Sequence, residues 1–166
     1  MQSRNLLQRN IKLIKNKRGS WFLIRDIILK LTKKYGTYDP FELADALKIS
    51  VIYEELGSIK GYYNKPLRMK QIHINHNLNE HMQRFTCAHE LGHAILHPNA
   101  STPFLRSKTF LSIDKLEIEA NQFAIELLIP DQIILENSNL TIEYLSRLLG
   151  YEQALIELRL KSYYKT

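Results

Sequence analysis

All six histidines of this 166-residue chain lie between His73 and His97. Two of them, His89 and His93, frame the pentapeptide His-Glu-Leu-Gly-His. On a helix, residues four apart project from nearly the same side, about 40° apart. Their imidazoles can then each give one ring nitrogen to a single Zn²⁺ at about 2.0–2.1 Å. Glu90 follows the first histidine and lies beside such a metal, where its carboxylate can accept a proton from water. The spacing therefore predicts a zinc site with a general base next to it.

A catalytic zinc takes three protein ligands and keeps a fourth position for water, so a third ligand must come from another segment. The sequence Glu-Ile-Glu-Ala-Asn at 117–121 offers two carboxylates. Glu117 shares a helical face with Asn121 and with alanines, whose small side chains allow a close approach to the first helix. Glu119 lies about 200° away on the helical wheel, so both carboxylates cannot reach one metal. We predict Glu117 as the third ligand, with Glu119 as the alternative, and Asn121 as the hydrogen-bond partner of a zinc-bound histidine.

Two other residues near the motif suggest alternative roles. His97 continues the histidine series by one more turn, but its ring lies at least about 8 Å farther along the helix axis, which is too far to share the metal. A zinc site with three histidine ligands, the third ten residues after the first, is also excluded, because the residue at that position is Asn99 and not a histidine. We therefore place His97 in a neighbouring hydrogen-bonding role or at the helix C-terminus. Cys87, the single cysteine, is interpreted as a buried apolar residue.

The pattern of apolar residues, glycines and prolines predicts the elements that must carry these side chains. The motif lies on a helix over 79–97 that Pro98 ends, and the Glu-bearing segment lies on a helix over 114–128 that Asp114 caps. Strands come early and helices late, without βαβ alternation, which indicates the α+β class. The remaining predicted helices are 20–35, 39–47, 131–136, 141–149 and 152–161, and the strands are 49–53, 61–64 and 71–75.

Composition and charge exclude several classes of protein. No stretch approaches the roughly 18 apolar residues of a membrane span. One cysteine cannot form an internal disulfide, which agrees with a reducing compartment such as the cytoplasm. The net charge is +6. The first 18 residues contain six basic residues and no acidic one, so residues 19–166 have no net charge. The six are Arg4, Arg9, Lys12, Lys15, Lys17 and Arg18. We expect a basic arm at 1–19, a single domain at 20–166 and no broad basic face for nucleic acid. The helices at 141–162 have helix-turn-helix-like spacing, which keeps a DNA-binding regulator as an alternative.

Two segments resemble the ImmA/IrrE family of zinc metallo-endopeptidases. They are residues 85–97, with the histidine pair inside them, and residues 117–130. The sequences around Pro40 and from Gly61 to Asn75 fit as well, so the resemblance extends over about residues 22–150. It implies a zincin-like fold in which a small three-stranded sheet packs on the motif helix and the Glu-bearing helix, with further short helices at both ends.

By matching position, the resemblance assigns zinc ligation to His89, His93 and Glu117 and makes Glu90 the catalytic base. It also implies a cytoplasmic protease of a phage or integrated mobile element, with no membrane association, whose protein substrate is a helix-turn-helix repressor. A zinc-bearing anti-repressor that binds its partner without cutting it is the alternative function.

Peptide hydrolysis also needs a place for the substrate and a donor for the oxyanion besides the metal. We expect the substrate to lie extended along an edge of the sheet, paired with the strand at 61–64 or at 71–75. The side chains that could donate to the oxyanion are His73, Tyr62, Tyr63 and His97.

Overall fold

The computed structural model describes residues 20–99 and 110–164. In these two ranges the chain forms seven α-helices, one short 3-10 turn (Pro66–Arg68) and one three-stranded sheet, so the predicted α+β class with a small sheet is confirmed. The basic arm predicted at 1–19 lies outside the described residues. The helices are α1 (Ser20–Tyr35), α2 (Pro40–Ala46), α3 (Glu80–Leu96), α4 (Phe110–Leu128), α5 (Asp131–Glu136), α6 (Ile142–Leu149) and α7 (Gln153–Tyr164), and the strands are β1 (Ser50–Glu54), β2 (Gly61–Asn64) and β3 (Gln71–Asn75).

The sheet has the strand order β1-β3-β2, with β1 parallel and β2 antiparallel to the central strand β3. Side chains alternate between the two faces of a strand. The paired residues Tyr63 and Ile72 are fully buried in one apolar cluster with α3, so their face packs on the motif helix. The paired residues Tyr62 and His73 therefore lie on the opposite face. Because β3 has partners on both sides, the expectation that a peptide could pair with residues 71–75 is wrong.

Local sequence explains how the first two helices form and attach. α2 begins at Pro40, whose missing N–H would be unpaired in the first turn anyway. Asp39 caps this helix by accepting hydrogen bonds from two backbone N–H groups of its first turn, and its other oxygen pairs with Arg84 of α3. α1 turns a helically spaced apolar face inward, and its buried residues are Leu23, Ile24, Ile27, Ile28 and Leu31.

The two helices that carry the predicted ligands differ in how well their starts were predicted. α3 begins after Asn79, whose side-chain oxygen accepts the N–H of Met82, and it ends before Pro98 as expected. α4 begins at Phe110, so the prediction that Asp114 caps it is wrong, and Asp114 lies in its second turn. Acidic residues are favourable anywhere near a helix N-terminus, so an aspartate marks the region rather than the boundary.

α3 and α4 approach each other closely at a glycine. A Cβ on Gly92 would lie 3.1 Å from Cβ of Phe123 and 3.2 Å from Cα of Ala120, tighter than ordinary contact. The absence of a side chain at Gly92 therefore sets the distance between the two helices. Ala120 and Ala124 of α4 are also fully buried, so this face is lined by small residues.

A second apolar cluster holds the C-terminal helices. α6 and α7, which have the helix-turn-helix-like spacing, bury apolar faces in this cluster together with α4 and α5; its buried members are Ile125, Ile129, Ile134, Leu145 and Ile156. Arg159 of α7 is also buried, and its Nε donates to the carbonyl of Ile129 at 2.7 Å. Its guanidinium pairs with Asp131, which pairs in turn with Arg25 of α1. Among the described helices, none combines the length and apolar character needed to cross a bilayer.

Candidate metal centre

His89 and His93 project from successive turns of α3 toward Glu117 of α4. The Nε2 atoms of the two histidines lie 3.1 Å apart. The carboxylate of Glu117 places one oxygen 3.2 Å from Nε2 of His89 and the other 3.3 Å from Nε2 of His93. The structure thus brings these three residues together, with one donor atom from each within 4.8 Å of the others. We call these three donors the ligand triangle.

The ligand triangle fits a divalent metal ion in chemistry and in size. Two imidazole nitrogens with one carboxylate oxygen form a donor set typical of hydrolytic zinc sites. Bonds of about 2.0–2.1 Å at tetrahedral angles would separate neighbouring donors by about 3.3–3.4 Å. In this structure the two Nε2 atoms lie 3.1 Å apart, and they lie 3.2 and 3.3 Å from the two different oxygens of the Glu117 carboxylate. Little movement is needed to accept a metal, and the partly exposed Glu117 leaves its side of the triangle open to solvent.

Asn121 orients one of the histidines from the same face of α4 that carries Glu117. Nδ1 of His89 donates a hydrogen bond to Oδ1 of Asn121 at 2.9 Å. With the proton on Nδ1, the lone pair of Nε2 points into the triangle, which is the tautomer that a metal requires. One turn of α4 therefore supplies both a carboxylate and the group that holds the His89 ring.

The electrostatics of the triangle favour a cation. Burial opposes the charge on Glu117, but hydrogen bonds from His89 and His93, and the charges on both rings, hold its pKa well below the usual range. Burial tends to lower the pKa of His89, yet the neighbouring Glu117 and Glu90 raise it above its ordinary value. Glu117 is therefore ionised at neutral pH, so a metal that enters the triangle meets a charged ligand.

Glu90 lies on α3 directly after His89 and is only 5% exposed. Its charge contributes to the raised pKa of His89, so the carboxylate lies near the ligand triangle without being one of its three members. A carboxylate in this position can exchange protons with water at the site, because it is not occupied in binding the metal.

Comparison with known proteins assigns the chain to a family. The family model for a group of peptidases, described as the IrrE N-terminal-like domain, matches residues 44–165. The chain belongs to this family. Immunity region protein 2 of Bacillus phage phi105 is 49% identical to this IrrE-like chain over 127 residues, which cover 76% of the chain and 80% of the relative. Metallopeptidase ImmA of Bacillus subtilis (strain 168) is 35% identical over 115 residues, which cover 68% of the chain and 67% of that protein.

A solved structure also shares the fold of this IrrE-like chain. A Mycobacterium tuberculosis transcriptional regulator superposes with a TM-score of 0.56 at 20% identity, which concerns the fold alone. The match covers 82% of this chain and 46% of the regulator, so the chain spans less than half of that protein. The predicted membership of the ImmA/IrrE family is confirmed, and the family model and the ImmA relative together support a metallopeptidase.

His97 and Glu119 of the IrrE-like chain form a pair beside the ligand triangle. Nε2 of His97 lies 3.3 Å from Oε2 of Glu119, and both residues are buried. The backbone N–H of His97 also bonds to the carbonyl of His93 at the end of α3. Glu119 is thus engaged away from the ligand triangle, and the pair joins the C-terminus of α3 to α4.

The structure does not bring His73 or Tyr62 to the ligand triangle. Nδ1 of His73 donates to Oε1 of Glu54 at 2.6 Å, and the hydroxyl of Tyr62 donates to the same oxygen at 3.1 Å. The two rings are stacked, with centroids 4.3 Å apart, on the sheet face opposite α3. Tyr63 lies on the α3 side, where its hydroxyl donates to the carbonyl of Pro98 at 3.4 Å.

Sequence reasoning missed the parts played by Glu54 and Gly92. Glu54 meets His73 because β1 and β3 are neighbours, which only the strand order of the folded sheet shows. Gly92 did carry a signal in the sequence. A glycine in a helix interior costs about 1 kcal/mol relative to alanine, so its presence there indicates a close approach of another backbone.

Proposed function

We propose that this protein is a zinc-dependent endopeptidase that hydrolyses a peptide bond within a protein substrate in the cytoplasm. The observation that carries the proposal is the ligand triangle of His89, His93 and Glu117 with Glu90 beside it. In the part of the chain that the structure describes, no other group of three such side chains brings its donor atoms so close together. The mixture of nitrogen and carboxylate donors supports zinc among the divalent metals.

In this proposal, each residue of the site has its own role in peptide hydrolysis. When bound, Zn²⁺ supplies Lewis acidity that activates water and polarises a carbonyl. His89, His93 and Glu117 would hold the ion, and Asn121 keeps the ring of His89 in the required orientation. Glu90 accepts the proton of the attacking water and passes it to the nitrogen of the leaving amine.

The outer edge of β2 offers a place for the substrate backbone. Within residues 20–99 and 110–164, no strand pairs with this edge, so its N–H and C=O groups can pair with an extended peptide. A Cβ on Gly61 would lie 2.5 Å from Cγ2 of Thr86, so β2 lies directly against α3 one turn before Glu90. A peptide paired with β2 would therefore pass close to the general base.

The substrate that we propose is a helix-turn-helix repressor of a phage or integrated mobile element. Support comes from the ImmA/IrrE resemblance and from relatives that are named as a phage immunity region protein and as a metallopeptidase. Direct binding of nucleic acid is not part of the proposal, because the excess of basic residues is confined to positions 1–18.

Replacing Glu90 by glutamine tests the proposed chemistry. The purified chain is loaded with zinc and incubated with the repressor encoded beside its gene, with and without a chelator. We expect Glu90→Gln to keep its zinc while cleavage falls by at least about 100-fold, the usual range for loss of a general base. Glu126→Gln is the matched control, because Glu126 is also 5% exposed but lies between α4 and α7, where Ser162 and Gln122 donate to it.

Three results would contradict the proposal: undiminished cleavage by Glu90→Gln, loss of zinc from that variant, or cleavage that persists in the chelator. A wild-type chain that inactivates the repressor in stoichiometric amounts, and leaves it intact on a gel, would instead be the anti-repressor.

A further inference from the structure

The loop between β2 and β3, residues 65–70, exposes apolar and basic side chains together. Among the exposed large apolar side chains of the described residues, Leu67 is the most exposed at 91%, and Met69, two residues later, is 56% exposed. Lys65 and Arg68 are exposed on the same loop, which contains no acidic residue. In the described part of the chain, neither of these two cations forms an ion pair. The loop thus presents an apolar tip flanked by unneutralised positive charge.

The backbone of the loop holds this tip in an unfavourable conformation. Leu67 and Arg68 both have left-handed backbone angles, with φ of 47° and 69°, in a turn closed by a hydrogen bond from the N–H of Met69 to the carbonyl of Pro66. A residue with a Cβ in this region costs about 1–2 kcal/mol. Strain of this kind is concentrated at sites that bind ligands, because elsewhere a glycine would remove it.

The loop begins at the end of the proposed substrate groove, the name we give to the outer edge of β2 together with the adjoining surface of α3. It continues directly from β2, whose outer edge is the proposed place for the substrate backbone. Nζ of Lys70 donates to the carbonyl of Ala94 at 3.1 Å, and Tyr63 of β2 bonds to Pro98, so the loop and its strand are held against the C-terminal half of α3. A peptide that leaves the groove at this end of β2 must pass the tip.

Basic residues outnumber acidic ones at this end of the sheet, where Asp45 is the acidic residue beside Lys48. Lys48 is exposed just before β1, and the N–H of Ser50 bonds to the carbonyl of Lys70, which brings β1 beside the loop. Four basic residues therefore gather at this end of the sheet: Lys48, Lys65, Arg68 and Lys70. Residues 19–166 as a whole, these four included, carry no net charge. A peptide segment with acidic residues beside an apolar one complements this surface, because its acids match the basic residues and its apolar side chain matches the apolar tip.

We propose that the β2–β3 loop is a docking element that selects substrates with an apolar side chain flanked by acidic ones, next to the segment that lies along β2. Leu67 and Met69 cover the apolar side chain, and Lys65 and Arg68 pair with the acids. This inference rests on the proposed peptidase function, because it concerns the same groove.

Binding is measured apart from cleavage, with the full-length, zinc-loaded Glu90→Gln chain. The probes are two fluorescein-labelled peptides: one alternates leucine and glutamate, and the other has lysine in place of every glutamate. We expect the acidic peptide to bind at least about tenfold more tightly, with affinity that falls as salt rises. Adding Lys65→Glu and Arg68→Glu should remove that preference, and adding Leu67→Ser should weaken the acidic peptide by about tenfold.

Matched variants separate docking from general effects of charge and surface. Lys30→Glu with Lys33→Glu makes the same change in net charge on α1, and Leu135→Ser removes an exposed leucine from α5; both should bind like the parent. Equal affinity for the two peptides, no binding of either, or loop variants that bind like the parent would overturn the docking role. Loop-dependent binding by a chain that fails to cleave the repressor would leave docking standing and refute the peptidase function instead.

Discussion

The Gly92→Ala variant adds one methyl group at the place where α3 crosses α4. The new Cβ would lie 3.1 Å from Cβ of Phe123, 3.2 Å from Cα of Ala120 and 3.3 Å from the carbonyl oxygen of Ala120. Ordinary contact begins at 3.4 Å, and two of these atoms belong to the backbone of α4, so no side-chain rotation can make room. The helices must separate by a few tenths of an ångström, and Glu117 moves away from the histidines with α4.

This displacement should affect metal binding more than folding. Ligand distances at a metal site tolerate about 0.2 Å, and disturbing the support of a ligand costs about 10–100-fold in affinity. We expect a loss of that size in zinc affinity. Overpacking costs about 1–3 kcal/mol, but replacing a helical glycine by alanine recovers about 1 kcal/mol. The free energy of unfolding of the metal-free chain should therefore fall by about 0–2 kcal/mol.

Zinc affinity is measured by competition with a chromophoric chelator, and stability is measured by urea unfolding of the chelator-treated chain. Gly57→Ala is the control, because Gly57 has φ of 57° with no atom within 4 Å of the added Cβ. That control should lose about 1 kcal/mol to backbone strain and keep its zinc affinity. A Gly92→Ala chain that binds zinc like the wild type and unfolds at higher urea would refute the argument that this contact sets the ligand triangle.

Three further predictions concern the site and its surroundings. Asn121→Ala should lower zinc affinity by about 10–100-fold while His89 remains in place, as measured by the same chelator competition. Adding zinc at 1,000 times its Kd should stabilise the wild-type chain by about 4 kcal/mol in thermal or urea unfolding, and Glu117→Gln should lose most of this gain. Burial raises the pKa of Glu126 above its ordinary value of 4.5, although Ser162 and Gln122 donate to it. The folded state therefore holds that proton more firmly than the unfolded state. Glu126 does not lower the free energy of unfolding below pH 4.5, and it lowers it increasingly as pH rises through the pKa of the folded state. Urea unfolding across this range should show Glu126→Gln gaining stability over the wild type as pH rises; a constant difference would contradict the burial argument.

The site residues that could be predicted best from the sequence are those whose positions depend on one helix, or on two helices that pack closely through small residues. The spacing of His89 and His93 is fixed by the helical repeat, so their convergence needs no knowledge of the rest of the fold. Predicting Glu117 as a ligand required one further inference: the small residues on its face indicate that its helix packs closely on another helix. The boundaries of β2 and β3 followed from their glycine and apolar pattern and agree with the structure.

The remaining features depend on contacts between segments that are distant in the chain. β1 pairs in parallel with β3, although β2 lies between them in sequence. No local pattern encodes that order, so the open edge of the sheet and the contact of Glu54 with His73 could not be predicted. The start of α4 was predicted four residues late, because Asp114 satisfies the statistical preference for acids near a helix N-terminus without being its cap.

The buried guanidinium of Arg159 has a consequence for how such chains can be recombined. It bonds to the carbonyl of Ile129 and to Asp131, and Asp131 also pairs with Arg25. Arginine keeps its charge in proteins, so Arg159 is a permanent partner of both groups. Exchanging α7 for an unrelated helix would leave the carbonyl of Ile129 without this hydrogen-bond donor and Asp131 with one cationic partner fewer. The last helix is therefore not an interchangeable module. A graft that replaces α7 must supply a cation at the same depth.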